Sequence, residues 1–257
     1  MALITGSTSG IGLGIAEAFA LAGAKVILNG RADSPENHAL AQAMAARTGT
    51  EVRFMAADLS DGTAARGLVA AVATQFGTVD VLVNNAGIQH VAPVEEFPIA
   101  KWDQIIALNL TAAFHTTAAA MPLIKAKGAG RIINIASAHA LTASPYKSAY
   151  VSAKHGLIGL TKTVALEMAD AKLDATCNAI CPGYVLTPLV ENQIADQMKV
   201  HKMGREEVLE KIILQRQPTR KMATVEELGA LAVFLAGPLA GQITGTAISM
   251  DGGWTAL

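Results

Sequence analysis

Tyr150 and Lys154 stand four residues apart, and Ser137 lies thirteen residues before the tyrosine. Residues i and i+4 share one face of a helix. A lysine ammonium beside a phenol favours the phenolate, which predicts a lowered tyrosine pKa. A tyrosine tuned that way serves as general acid or base near neutral pH. A serine hydroxyl within reach would donate to the oxygen on which charge develops. Tyr-x-x-x-Lys is also common on ordinary helix faces, so its meaning rests on the elements that hold it.

Those elements alternate along the chain. Apolar, strand-like runs occur at 2–5, 25–28, 52–57, 79–83, 131–135, 174–180 and 247–250. Helical stretches fall at 12–22, 35–47, 64–76, 102–126, from Tyr150 to about Met168, and 224–236. Short apolar strands separated by helices predict a parallel sheet with helices on both faces. No Pro/Gly/Ser tract divides the 257 residues, which reads as one domain. One stretch, 187–217, breaks the alternation with a helix-like, more charged sequence; long insertions of this kind often serve as lids.

Composition narrows the partners. With 20 basic and 21 acidic residues the net charge is −1, which leaves no electrostatic footprint for nucleic acid. No basic run points to an anionic membrane. The long apolar stretch 105–124 is broken by Asn109, His115 and Pro122 and reads as a core helix. Cys177 and Cys181 would point the same way on one strand, too far apart for a disulfide. No Cys/His cluster completes a metal site. Two buried thiols suit a reducing cytoplasm, and no signal peptide precedes the first strand.

A second chemical feature lies at the first strand end. Thr5-Gly6-Ser7-Thr8-Ser9-Gly10-Ile11-Gly12 joins that strand to the first helix. Glycines there allow a tight turn and close approach of backbone to a pyrophosphate at the helix N-terminus. Other strand ends carry Asp58-Leu59, with a carboxylate able to accept from an adenine amino group, and Asn84-Asn85-Ala86-Gly87. Ligands of open α/β sheets bind at such C-terminal strand ends. The second strand ends in Gly30-Arg31 rather than in an acid, a pattern that suits the 2′-phosphate of NADP.

With Thr5-Gly6-x-x-x-Gly10-x-Gly12, Asp58, Asn84-Asn85-Ala86-Gly87, Asn109, Ser137, Tyr150-x-x-x-Lys154, Pro182-Gly183 and Thr187 in this order, the chain resembles the short-chain dehydrogenase/reductase family over essentially its whole length. The resemblance implies a single Rossmann-type, doubly wound domain with a seven-stranded parallel sheet. It implies nicotinamide hydride transfer, with Asn109, Ser137, Tyr150 and Lys154 catalytic. Cofactor contacts are implied at Gly6, Thr8, Ser9, Gly10, Ile11, Gly12, Arg31, Asp58, Leu59, Asn85, Ala86, Gly87, Tyr150, Lys154, Pro182, Gly183, Val185 and Thr187. Lys154 would also bind the nicotinamide ribose, and Asn109 would hold a water linking Lys154 to solvent. A homotetramer is implied as well.

A narrower likeness is carried by Gly87-Ile88-Gln89-His90, Ala136-Ser137-Ala138-His139, Lys147-Ser148-Ala149-Tyr150, Gln193 and Gly252-Gly253-Trp254. These look like the branch of the family that interconverts (R)-3-hydroxybutyrate and acetoacetate with NAD. That likeness implies substrate contacts from Gln89, Ser137, His139, Lys147, Tyr150, Gln193 and Trp254. Cations and amide donors suit a small carboxylate, and Trp254 would wall off a methyl group. Tyr184 stands where that branch often has tryptophan. Two cofactor expectations remain side by side: NAD from the likeness, NADP from Arg31. The alternative activity is an NADP-dependent reduction of another β-keto (acyl) substrate.

Overall fold

The structure, a computed structural model, describes residues 1–256; the side chains of Leu189, Asn192, Gln193 and Asp196 lie outside the described residues. Seven strands, β1 Ala2–Ile4, β2 Val26–Gly30, β3 Val52–Ala56, β4 Val81–Asn84, β5 Ala129–Ile135, β6 Asp174–Pro182 and β7 Ala247–Met250, form one sheet in the order β3-β2-β1-β4-β5-β6-β7. Every neighbouring pair is parallel. The fold is therefore the parallel α/β sheet that the alternation predicts and the Rossmann-type domain that the family resemblance implies.

Strand residues alternate between the two faces, and each face meets its own helices. Ile4, Leu28, Val83, Ile133 and Ile180 pack with α1 (Gly10–Leu21), α2 (Pro35–Thr48) and α9 (Val225–Ala236) through Ile15, Phe19, Met44, Leu228 and Leu235. Leu3, Ile27, Leu82, Ile132 and Cys177 meet α3 (Gly62–Phe76), α5 (Ala112–Lys127) and α6 (Ser148–Asp170) through Leu68, Val72, Ile124, Val164 and Met168. Burial on both sides explains why the strands read as continuous apolar runs.

The long helical stretch begins earlier than its sequence suggests, as α4 (Ile99–Ile106), and reaches α5 through a π-turn at Ala107–Thr111. By length and composition Ile99–Lys127 would span a membrane, yet Ile105, Ala112, Ala120 and Ile124 are buried in the protein, so it is a core helix. The insertion before α9 is helical, with α7 (Pro188–His201), α8 (Arg205–Val208) and a π-turn at Leu209–Ile213. It has a small apolar centre of its own, Val190, Ile194, Val208, Ile213 and Leu214. Cys177 and Cys181 are free, buried thiols on β6.

Candidate active site

A cleft of about 510 Å³ opens where β1 to β5 end. Its wall includes Gly6, Thr8 to Gly12, Gly30, Arg31, Asp58, Leu59, Asn85 to Gln89, Tyr150, Lys154 and Thr187. The sequence-predicted cofactor residues thus converge, with three exceptions. Among the described residues Pro182, Gly183 and Val185 are not part of this wall. Gly183 instead packs against Asp251 and Gln217, and Pro182 and Val185 are buried in β6 and just beyond it.

The turn after β1 is built for a phosphate. Gly6 sits at φ 59°, and a Cβ there would lie 2.8 Å from the Ala86 Cα. A Cβ on Gly12 would come 2.4 Å from Asn85 Nδ2. Thr5 Oγ1 accepts from the backbone N–H groups of Asn85 and Ala86, which locks the ends of β1 and β4 together. Ser9 begins α1 without a side-chain cap, so the first-turn N–H groups stay available to an anion. This donor set fits a dinucleotide pyrophosphate. At the far end Asp58 Oδ1 accepts from the Ser60 N–H and hydroxyl, and these bonds with the nearby Arg31 charge hold its carboxyl below the usual range.

Ser137, Tyr150 and Lys154 come together at the end of β5. Lys154 is buried and donates to the Ile135 carbonyl at 2.7 Å. Its ammonium lies 5.7 Å from the Tyr150 ring centre. Burial lowers the Lys154 pKa to about 8. The sequence predicts a lowered tyrosine pKa; here the opposite holds. Burial pushes the Tyr150 phenol up, and the Ser137 hydroxyl only partly offsets it. The reason is geometric: the lysine faces the ring and the β5 carbonyl, while desolvation acts on the whole phenol.

Asn109 sits in the π-turn, a local distortion frequent at functional sites. Its amide both accepts from the Ile88 N–H at 2.8 Å and donates to the Ile88 carbonyl at 2.9 Å, fixing the loop after β4. Asn109 and Lys154 together line a cavity of about 10 Å³, the size of one water.

Beyond Tyr150 lies a compact polar–aromatic end. The His139 ring makes edge contacts with Tyr150 at 6.0 Å and Trp254 at 5.0 Å. Trp254 stacks on Tyr184 with ring centres 5.8 Å apart, so Tyr184 supplies an aromatic face at this position. Lys147 begins α6, following Tyr146 at φ 66°, a left-handed conformation that strains a non-glycine residue. No side chain caps α6, and the Ser148 hydroxyl is buried without a partner. Gln89 reaches the cleft wall from the β4 loop. Gln193 belongs to α7, but its side chain lies outside the described residues.

Two participants carry no motif and escaped the sequence reading. Arg216, just past the lid helices, donates to Ser144 Oγ at 3.0 Å and to the Ala143 carbonyl at 3.2 Å. Its guanidinium lies 5.9 Å from the Trp254 ring centre. Ser144 in turn meets His139 Nε2 at 2.8 Å. Only the tertiary path of the lid brings these residues together.

Burial, then the charges of Lys147 and Arg216, lower the His139 pKa to about 4. The folded protein therefore binds fewer protons here than the unfolded chain, whose histidine titrates near about 6.5. Stability should rise with pH between about 4 and about 6.5 and be lost as pH falls through that window. Denaturant midpoints measured across it should slope upward, and His139→Asn should flatten the slope. An unchanged slope in the variant would remove His139 as its source.

Comparison with known proteins gives concordant findings. A family profile described as short chain dehydrogenase matches residues 1–198. The chain is 54% identical over 255 residues to a D-beta-hydroxybutyrate dehydrogenase of Rhizobium meliloti, covering 99% of this chain and 98% of the relative. It is 50% identical to the enzyme of that name from Cupriavidus necator, covering 99% and 97%. A 2-(R)-hydroxypropyl-CoM dehydrogenase of Xanthobacter autotrophicus is 36% identical, covering 100% and 99%.

Proposed function

The chain belongs to the short-chain dehydrogenase family, and from that premise we propose that it interconverts (R)-3-hydroxybutyrate and acetoacetate with NAD. The observation that carries this reading is Lys147. A cation at the start of a 23-residue helix opposes the helix dipole. Among the described residues no carboxylate pairs with it, and Arg216 adds a second unpaired positive charge nearby. Such an arrangement is unfavourable until an anion arrives. A short hydroxy acid supplies one, whereas a thioester has no free carboxylate at that end.

In this reading the Tyr150 oxygen takes the proton from the substrate C3 hydroxyl, and returns it in the reverse direction. Ser137 donates to that same oxygen and fixes its position. Lys154 is held by the Ile135 carbonyl beside the Tyr150 ring and would bind the ribose of a bound cofactor. Asn109 holds the loop after β4, and a water in the neighbouring cavity passes protons toward Lys154. Lys147, with Gln89, holds the carboxylate. Trp254 and Tyr184 wall off the methyl end, and α7 excludes water over the glycine turn, where Thr187 stands 3.5 Å from the position of a Gly10 Cβ. A nicotinamide held by the glycine turn and Lys154 would supply the hydride acceptor for oxidation, and its oxidised ring would add positive charge beside the phenol.

We further read the protein as a cytoplasmic homotetramer; exposed Leu166, Phe234 and Leu239 support a covered surface. A second cofactor reading, NADP with a larger β-keto substrate, is favoured by Arg31 alone at the cleft wall. One assay separates these: cofactor reduction from each enantiomer of 3-hydroxybutyrate, with NAD and with NADP, beside NADPH-dependent reduction of a β-ketoacyl thioester. Turnover confined to the (R)-enantiomer with NAD is expected. Faster reduction of the thioester with NADPH would replace the reading with its alternative.

A further inference from the structure

Resting on the reading that Tyr184 and Trp254 wall off the methyl end of the substrate, we propose that Gln217 is a positioning residue that sets the spacing of those two rings. The length of the pocket, and with it the chain length of the acid admitted, then depends on one buried amide at the lid exit.

The two rings come from neighbouring strands that separate before reaching them. β6 and β7 stay in register as far as Pro182 and Met250, and the Gly183 N–H makes a last bond to the Met250 carbonyl at 3.1 Å. Tyr184 and Trp254 lie beyond that point, so no sheet pairing fixes their ring separation of 5.8 Å. The lid exit fills the gap. Gln217 is 1% exposed, and its side chain lies between two glycines: a Cβ on Gly183 would come 2.5 Å from Oε1, and one on Gly252 would come 3.2 Å from Nε2. Oε1 accepts from the Tyr184 N–H at 2.5 Å, and Nε2 donates to the Lys221 carbonyl at 2.7 Å. The partners fix the orientation of the amide, because a backbone N–H only donates and a carbonyl only accepts.

Both backbone groups of Tyr184 are thereby held by the lid exit. Gln217 takes its N–H, and the Ala223 N–H donates to its carbonyl at 3.0 Å. The Trp254 side is held by the same segment, where the Thr219 N–H donates to the Gly252 carbonyl at 3.1 Å. Arg216, next in the chain, places its guanidinium 5.9 Å from the Trp254 ring centre. Among these ties the Gln217 amide is the side chain inserted between the two glycines, so one substitution releases Tyr184 and leaves the backbone bonds in place. A buried N–H and a buried carbonyl left without partners are unfavourable, and the segments shift to satisfy them. Tyr184 then moves off Trp254, and the pocket lengthens at its methyl end. Neither Gln217 bond reaches Ser137 or Tyr150, so the proton-transfer groups stay in place.

Two measurements on the full-length protein test the clamp. The chain has two tryptophans, so in a Trp102→Phe background the Trp254 emission reports the wall without substrate. Gln217→Met keeps an unbranched side chain and loses both bonds. It should shift that emission to longer wavelength and raise its quenching by acrylamide. The ratio of kcat/KM for 3-hydroxybutyrate to that for 3-hydroxypentanoate should fall by about tenfold, the lower range of what one methylene is worth in an apolar pocket. The fall should come from a lower KM for the five-carbon acid, with kcat for the four-carbon acid nearly unchanged. Gln217→Asn, whose amide is too short to span both partners, should act in the same direction and carries the test where Gln217→Met does not fold. Native emission or a native ratio in a folded variant would overturn the proposal. A native protein inactive on both acids would fail the substrate reading, while the emission shift would still support the spacing role of Gln217.

Discussion

Replacing Tyr150 with phenylalanine should lower turnover by about 10³-fold or more, the upper range of general acid–base contributions. Cofactor affinity, followed by fluorescence titration, should change little. The substitution keeps the ring and with it the edge contact to His139 and the approach of Lys154. Only the phenolic oxygen is lost. No neighbour stands in the same place: Lys154 is engaged with the Ile135 carbonyl. The proton therefore has no acceptor beside the reacting carbon.

The same argument fixes a pH dependence. Burial holds the Tyr150 phenol above its ordinary range, so the basic form required for oxidation gains population as pH rises. The oxidation rate should climb with pH, and the reverse reduction should favour lower pH. Lys154, lowered to about 8 by burial, loses its charge before the phenol ionises, and this limits the rise. In Tyr150→Phe the climb should vanish along with the rate. Substantial residual activity carrying the original pH profile would assign the proton transfer to another group.

What the sequence made legible follows from what repeats and what punctuates. The alternation of apolar runs with helical stretches reads correctly as a parallel sheet, because strands covered on both faces lose their polar positions. β7 is located at its observed ends, and α2 and α3 within a turn, since Pro35 and the glycines at 49 and 77 mark their boundaries. The π-turn at Ala107–Thr111 leaves no such mark; it arises from the Asn109 amide binding Ile88, a contact between elements. The glycine turn, Asp58, Asn85 and Tyr150 are legible as a cleft because strand ends place them side by side.

What local patterns leave unread shares another cause. Pro182 ends β6, and Gly183 packs against Asp251 and Gln217, contacts that only the tertiary fold supplies. The four-residue spacing of Tyr150 and Lys154 fixes the neighbour and not its direction. Lys154 turns toward a backbone carbonyl, and burial then decides the sign. Arg216 and Ser144 have no fixed interval to any motif. Their meeting at His139 depends on the path of the helical insertion, which local patterns do not encode.

Lys147→Ala should raise KM for 3-hydroxybutyrate by roughly 10- to 150-fold, corresponding to about 1.5–3 kcal/mol for a charge-assisted contact, with kcat much less affected. The split follows from position. Lys147 stands at the start of α6, three residues before Tyr150, and addresses the carboxylate end of the substrate, where charge is the same in ground and transition states. Uniform binding of that kind appears in KM. The variant should also lose the discrimination between the acid and its methyl ester, because the ester never engaged the ammonium. Stability should not suffer: removing an unpaired cation from a helix N-terminus relieves an unfavourable dipole interaction. The His139 pKa should rise once a neighbouring positive charge is gone, narrowing the acid window over which stability declines. A rise in KM that is equal for acid and ester would point to a packing role for the lysine stem. An unchanged KM for the acid would remove Lys147 from the carboxylate site and, with it, the strongest structural support for an anionic substrate.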